Sequence, residues 1–241
     1  MTMSAHVVWH DVECGGYDAD LTLWRELARE AGGPVLDVGA GTGRVALRLA
    51  GEGLDVTALD RDGELLDALG ERAAAAGLEV ETVRADAAAF ELPARYALIA
   101  VPMQTLQLLP DDAARGGFFA SARRALVPAG LVAAAIADQL EPFEEQEQLP
   151  APDVGQAGGL QYLSQPVAVR ERAGAVRIER IRQVVAPDGT RTSEDDVIEL
   201  RTLSAEGLAA EAEPHGLHAE APLEIPPTLE HVGSTVVMLR G

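Results

Sequence analysis

The chain has no lysine and no asparagine, a single cysteine, and aromatic residues at only 4% of its 241 positions. Each scarcity excludes something. Without lysine there is no Gly-Lys-Ser/Thr phosphate loop, which needs that side chain on the phosphates. All 19 basic residues are arginine, a usage that fits the codon bias of a GC-rich genome better than a functional signal. One cysteine, Cys14, permits no intrachain disulfide, so a secreted disulfide scaffold is not expected. No apolar run approaches the ~20 residues of a membrane-spanning helix. Met1 to His10 carry neither the basic start nor the apolar stretch of a secretory leader. A cytoplasmic protein is the expectation. Basic residues are also outnumbered by 39 acidic ones, for a formal charge of −20. With no basic cluster, a nucleic-acid partner is disfavoured, because such binding is dominated by neutralising phosphates. An anionic membrane surface is disfavoured on the same ground.

What the chain does have is glycine at informative spacing. Val35-Leu36-Asp37-Val38 is a short apolar run, Gly39-Ala40-Gly41-Thr42-Gly43 follows, and Val45-Ala46-Leu47-Arg48-Leu49-Ala50 returns to helical spacing. This reads as a buried strand, a tight turn and a helix start. Such a turn aims free backbone N–H groups and a helix dipole at a ligand. Some of these glycines are expected at positive φ, with no room for a side chain between backbone and ligand. A dinucleotide turn, G-x-G-x-x-G, would need glycine where Arg44 stands.

The rest of the chain alternates strand and helix signals up to Ala137. Strands are expected at Asp55–Asp60, Leu78–Asp86, Tyr96–Val101 and Gly130–Ala137, with helices near 20–31, 63–76 and 111–127. Asp20 is read as a helix N-cap. Gly15-Gly16 argues against a regular helix through residues 1–20. Regular βα alternation implies a mostly parallel sheet with its loops along one rim. Residues 138–160 lack periodicity and read as a long loop. Pro166–Arg172, Val176–Val185 and Val197–Leu203 alternate like antiparallel strands with one wet face. A short helix at 205–212 and strands at Leu217–Ile225 and Thr235–Leu239 close the chain.

The run Asp37-x-Gly39-x-Gly41-x-Gly43 resembles motif I of the class I S-adenosylmethionine (SAM)-dependent methyltransferases. The resemblance implies one domain over 1–241, α/β and Rossmann-like, with a seven-stranded mostly parallel sheet closed by an antiparallel hairpin. Its parts would be an N-terminal flap and helix (1–33), a cofactor-binding core (34–137), a lid loop with a small inserted antiparallel β-sheet (138–203), and a closing helix and hairpin (204–241). The insertion resembles that of small-molecule methyltransferases, where it helps form the substrate pocket and often a dimer contact. The implied activity is methyl transfer from SAM to a small-molecule acceptor, leaving S-adenosylhomocysteine. A homodimer through the inserted sheet is a possible assembly.

The same resemblance distributes roles. Asp37 and the N–H groups of Gly39, Ala40, Gly41 and Gly43 suit the amino acid end of the cofactor. Asp60 ends the second strand, where a carboxylate can accept both ribose hydroxyls, with Arg61 beside the adenine. Asp86 and Ala87 match the adenine contact, and Val101 and Pro102 border the transferred methyl. Tyr17, Gln104, Gln107 and Tyr162 are candidates for the substrate side. His10 and Tyr17 are the only candidates for proton handling, and no catalytic residue follows from the sequence. His215 and His218 have a spacing that metals use, but no third ligand stands in register, so no metal is expected. Two alternatives stay open: an enzyme of this fold that retains SAM for a non-methylating reaction of the cyclase or pericyclase type, and a non-catalytic SAM-binding module.

Overall fold

A parallel strand covered by helices on both faces must be apolar on both, and β1 (Val35–Val38) is buried at all four positions. It pairs in parallel with β2 (Val56–Asp60) on one side and β4 (Tyr96–Val101) on the other. β3 (Glu81–Arg84) continues the sheet beyond β2, and β5 (Leu126–Ile136) lies beside β4. The computed structural model describes residues 3–143, 149–228 and 231–241. Five residues of the expected lid loop, 144–148, thus lie outside the described residues.

The last strand, β12 (Ser234–Arg240), runs antiparallel to β5. On its far side it pairs with two short strands, β10 (His218–Ala219) and β11 (Leu223–Ile225). The expected single strand at 217–225 is broken because Pro222 has no N–H to give the ladder. Among the described residues the sheet therefore has eight strands rather than seven, with β10-β12-β5-β4-β1-β2-β3 as its order and β11 off that path.

Helices α2 (Leu21–Ala31), α3 (Ala46–Ala50), α4 (Gly63–Ala76), α5 (Asp112–Ala125) and α6 (Ala205–Ala212) supply the covering layers. α4 starts where the Asp62 carboxylate accepts from the N–H groups of Glu64 and Leu65 and stops at left-handed Gly77. Alternation along β1 divides the interior. Val35 faces a cluster built on Trp24, Leu49 and Leu69, whereas Leu36 and Val38 face one built on Phe90, Phe118 and Phe119.

The N-terminal segment departs from expectation. Ala5–His10 forms α1, and Asp11–Gly15 continues it as a single π-helical turn up to the glycine pair. The insertion is also more regular than its sequence. Asp153–Ala157 is a strand, β6, and β7 (Leu160–Arg172), β8 (Ala175–Val185) and β9 (Arg191–Arg201) complete a separate antiparallel sheet, β6-β7-β8-β9. β7 tolerates Pro166 in its middle through a register shift between Pro166 and Ala168.

Candidate cofactor and acceptor site

Parallel strands with helical crossovers put the C-terminal ends of β1, β2, β3 and β4 on one rim, and the predicted cofactor residues follow those ends. Gly39, Gly41 and Gly43 all have positive φ, at 74°, 54° and 94°. The expected reason for glycine was approach of a ligand, but protein side chains crowd these positions first. A Cβ on Gly39 would land on the Thr105 side chain, and one on Gly41 would land on the His10 ring. Thr105 is itself fixed by donating to the Pro102 carbonyl at 3.0 Å. The turn after β4 thus packs against the turn after β1.

Asp37 is the most unusual group on the rim. Its side chain is fully buried, on the Trp24 side of β1; the Ala46 backbone N–H acts on it from a distance too long for a good hydrogen bond, and no side chain among the described residues bonds to either oxygen. Burial pushes its carboxyl up to about 7, with the Arg44 charge pulling the other way. Buried carboxylates are ordinarily paired, so this one asks for a cation.

Asp60 accepts from the Gly41 N–H at 2.8 Å and from the Asp62 N–H at 2.9 Å. One N–H goes to each oxygen, so each keeps lone-pair capacity for a further donor. Arg61 is exposed beside it, and its carbonyl accepts from Arg84 Nε at 3.2 Å. An open cavity of about 660 Å³ lies here, lined by Arg61, Asp62, Gly63, Glu64, Asp67 and Arg84. Asp86 is exposed and accepts from the Ala88 N–H, and Ala87 is half-buried against the phenylalanine cluster. Val101 and Pro102 are buried at the end of β4. Met103 follows at φ 55°, a conformation costly for a residue with a side chain and typical of functional turns.

Arg44 explains why a dinucleotide glycine is missing. Its guanidinium reaches back to the arm, donating to the Asp20 carboxylate with both Nη atoms and to the Tyr17 carbonyl at 2.8 Å. It also lies over the Tyr17 ring at 5.2 Å. Asp20 stands at the N-cap position of α2 but makes no capping bond. Its carboxylate is held by Arg44 and by the Trp24 Nε1–H at 2.7 Å.

The candidates for substrate and proton handling divide. Gln104 is half-buried at the end of the β4 turn, and its amide has no hydrogen bond among the described residues. Gln107 departs from expectation. It is 2% exposed, its Nε2 donates to the carbonyls of Ala137 and Arg201, and its Oε1 accepts from the Ala137 N–H. Its amide joins β5 to the last inserted strand instead of facing an acceptor. Tyr162 also differs: its ring is buried edge-on against Trp9 at 5.0 Å, so it packs the insertion onto the arm. Tyr17 is buried between Arg44 and His231, with the His231 ring 4.9 Å away. Burial and the Asp20 charge raise its phenol above the ordinary range, so it stays protonated. His10 lies on the glycine turn, with Nδ1 3.3 Å from Thr42 Oγ1.

The arm holds residues whose importance the sequence did not signal. Asp11 accepts from Thr42 Oγ1 at 2.8 Å and from both Nη atoms of Arg72. Glu13 accepts from Ser164 Oγ and, in bidentate fashion, from Arg182, with Arg180 at 3.2 Å. Burial alone would raise the Glu13 carboxyl, but these cations hold it below its usual range. The wide π-turn thus sends one carboxylate to the glycine turn and the next-but-one to the inserted sheet. Among the described residues, no group of three His, Cys, Asp or Glu side chains is placed to hold a metal ion.

Residues 35–130 match the family model of a methyltransferase domain. The glycine turn and the strands β1, β2, β3 and β4 fall inside that match. Several solved structures share the fold along nearly the whole chain. DesVI of Streptomyces venezuelae is 19% identical, covers 97% of this chain and 98% of its own, and superposes with a TM-score of 0.74. The sugar N-methyltransferase KedS8 from a Streptoalloteichus species is 18% identical over 100% of this chain and 94% of its own, at 0.73. CalS10 from Micromonospora echinaspora, an amino pentose methyltransferase seen with SAM bound, is 16% identical over 100% and 98%, at 0.71. No curated protein matches the sequence.

Proposed function

We propose that this chain transfers the methyl group of SAM to the nitrogen of a small amino-bearing acceptor such as an amino sugar. The observation that carries the donor side is Asp37, a fully buried carboxylate without a side-chain hydrogen-bond partner beneath the glycine turn. An ammonium group meets that need, and the amino acid end of SAM has one, whereas a dinucleotide would bring a pyrophosphate. When bound, SAM supplies a methyl already activated by its sulfonium. What remains for the protein is to hold a nucleophile at attack distance and keep water out. Asp60 accepts from the ribose, Asp86 and Ala87 take the adenine edge, and the arm covers the turn.

The acceptor side is supported by likeness. KedS8 and CalS10 act on sugar nitrogen or amino pentoses by their descriptions, and both cover the insertion as well as the core. Gln104, free at the β4 turn, is the polar group best placed to meet an acceptor. A neutral amine needs no strong base, which agrees with a protonated Tyr17 and with a His10 turned to the cofactor loop. We place the protein in the cytoplasm. No helix among the described residues is long and apolar enough to cross a membrane. We further propose that a second copy covers the outer face of the inserted sheet, where Val154 and Val197 are 53% and 46% exposed.

Calorimetry with S-adenosylhomocysteine and NADH, followed by mass spectrometry of SAM reactions with amino and hydroxy sugars, tests this reading. Binding of the homocysteine nucleoside and a mass gain of one methyl on the amino sugar are expected. Binding of NADH alone would overturn the donor assignment, and methylation confined to hydroxy sugars would overturn the acceptor. Conversion of an acceptor with SAM left intact would move the chain to the non-methylating group.

A further inference from the structure

His10 has two ring nitrogens, and its surroundings assign them different jobs. Thr42 has a single hydroxyl proton, and the 2.8 Å bond to Asp11 uses it. A carboxylate can only accept, and Arg72 holds Asp11 in its ionised form. At the 3.3 Å contact between Thr42 Oγ1 and His10 Nδ1, the hydroxyl oxygen is therefore the acceptor and Nδ1 carries the hydrogen. A neutral imidazole with Nδ1–H leaves Nε2 as a bare acceptor. Burial, with help from His6, lowers the His10 pKa against the opposing charges of Asp11, Asp60 and Glu13, which favours that neutral form.

Nε2 has no hydrogen-bond partner among the described residues. It sits above Gly41, where a Cβ would collide with it. The N–H of the same Gly41 holds the Asp60 carboxylate at 2.8 Å. An imidazole acceptor and a carboxylate acceptor thus flank one residue of the glycine turn. A ligand with two adjacent hydroxyl donors matches this pair, and a ribose diol is such a ligand.

Resting on the reading that SAM binds here, we propose that His10 Nε2 accepts a hydrogen bond from one ribose hydroxyl while Asp60 accepts from the other. Arg72, Asp11 and Thr42 then act as positioning residues, a relay that fixes the tautomer without touching the nucleoside. The arm is part of the nucleoside site as well as its cover. Nothing is transferred; the proton stays on the ribose.

Titration of the full chain with S-adenosylhomocysteine and its 2′-deoxy and 3′-deoxy analogues tests this. Wild type is expected to bind both analogues more weakly. His10→Phe keeps the ring and removes the acceptor. It should weaken binding of the parent nucleoside about tenfold, the worth of one hydrogen bond, and erase the penalty for one analogue only. His10→Gln, which offers a carbonyl oxygen, should recover part of that discrimination. The proposal is overturned if His10→Phe binds the parent as wild type does, if it keeps both deoxy penalties, or if every nucleoside is weakened alike. Failure of wild type to bind the parent at all would instead overturn the SAM reading itself.

Discussion

Replacing Asp37 by Asn should make the ligand-free protein relatively more stable as pH rises, while weakening its hold on the cofactor. Burial raises this carboxyl from 3.8 to about 7. Between those two values the folded protein keeps a proton that the unfolded chain has released. Native protein then binds more protons than unfolded protein, so stability falls as pH rises through that window and the full cost is present above about 7. At 1.36 kcal/mol per pH unit, the interval from 3.8 to about 7 amounts to about 4 kcal/mol. An Asn amide in the same place is also unsatisfied, but its cost of ~1–3 kcal/mol does not vary with pH. The useful quantity is therefore the change in the mutant-minus-wild-type difference between about pH 4.5 and about pH 8, which cancels other titrating groups. Urea denaturation of both proteins without ligand, at those two pH values, supplies it. The difference should move in favour of Asp37→Asn by ~2–4 kcal/mol, and calorimetry with S-adenosylhomocysteine should show at least about tenfold weaker binding. Parallel pH slopes for the two proteins would refute the claim that Asp37 is a buried, unpaired carboxyl.

Gly41→Ala should cost about 1–3 kcal/mol in thermal unfolding because of its positive φ and abolish cofactor binding. Adding His10→Ala to it should restore part of the stability and none of the binding, since only the steric clash is relieved. Glu13→Gln should release the arm from Arg180 and Arg182 at about 1–3 kcal/mol. Hydrogen exchange followed by mass spectrometry would show this as faster exchange in residues 5–17 with the central strands unchanged. Cys14, whose thiol burial pushes up to about 11, should resist maleimide at neutral pH and become reactive in the Glu13→Gln variant, because thiolate and access are both needed.

The core was legible because its signals are local. Apolar runs bounded by glycine and the helix stop at Gly77 each act within a few residues, and they specify strands and helices without tertiary help. The glycine turn was legible for the same reason. What could not be read depends on partners far along the chain. Asp11 meets Arg72 across 61 positions and Glu13 meets Arg182 across 169, so the helical arm has no local sequence signature. Gln107 looked like a site residue because a polar side chain after a strand end usually faces solvent or ligand. Here the carbonyls of Ala137 and Arg201 converge on it. β6 was hidden because, among its five residues, only Val154 is a strong strand former. Its pairing with β7 supplies the rest.

Position 44 ties the cofactor choice to the arm. A dinucleotide turn reserves it for a small residue at a close helix–strand contact. Here it holds a guanidinium pinned to Asp20 and to the Tyr17 carbonyl, with its side chain only 10% exposed. Asp20 and Arg44 neutralise one another as a buried, bidentate pair. Arg44 still draws the Asp37 carboxyl downward across the same cluster, but its hydrogen bonds are already committed. Two buried carboxyl groups and one buried cation leave Asp37 without a compensating cation beneath the glycine turn, so its charge above about pH 7 stands alone. A pyrophosphate would add negative charge to that deficit, whereas an ammonium cancels it. The residue that breaks the dinucleotide spacing therefore also fastens the arm and, on the function proposed above, leaves Asp37 to select a cationic ligand.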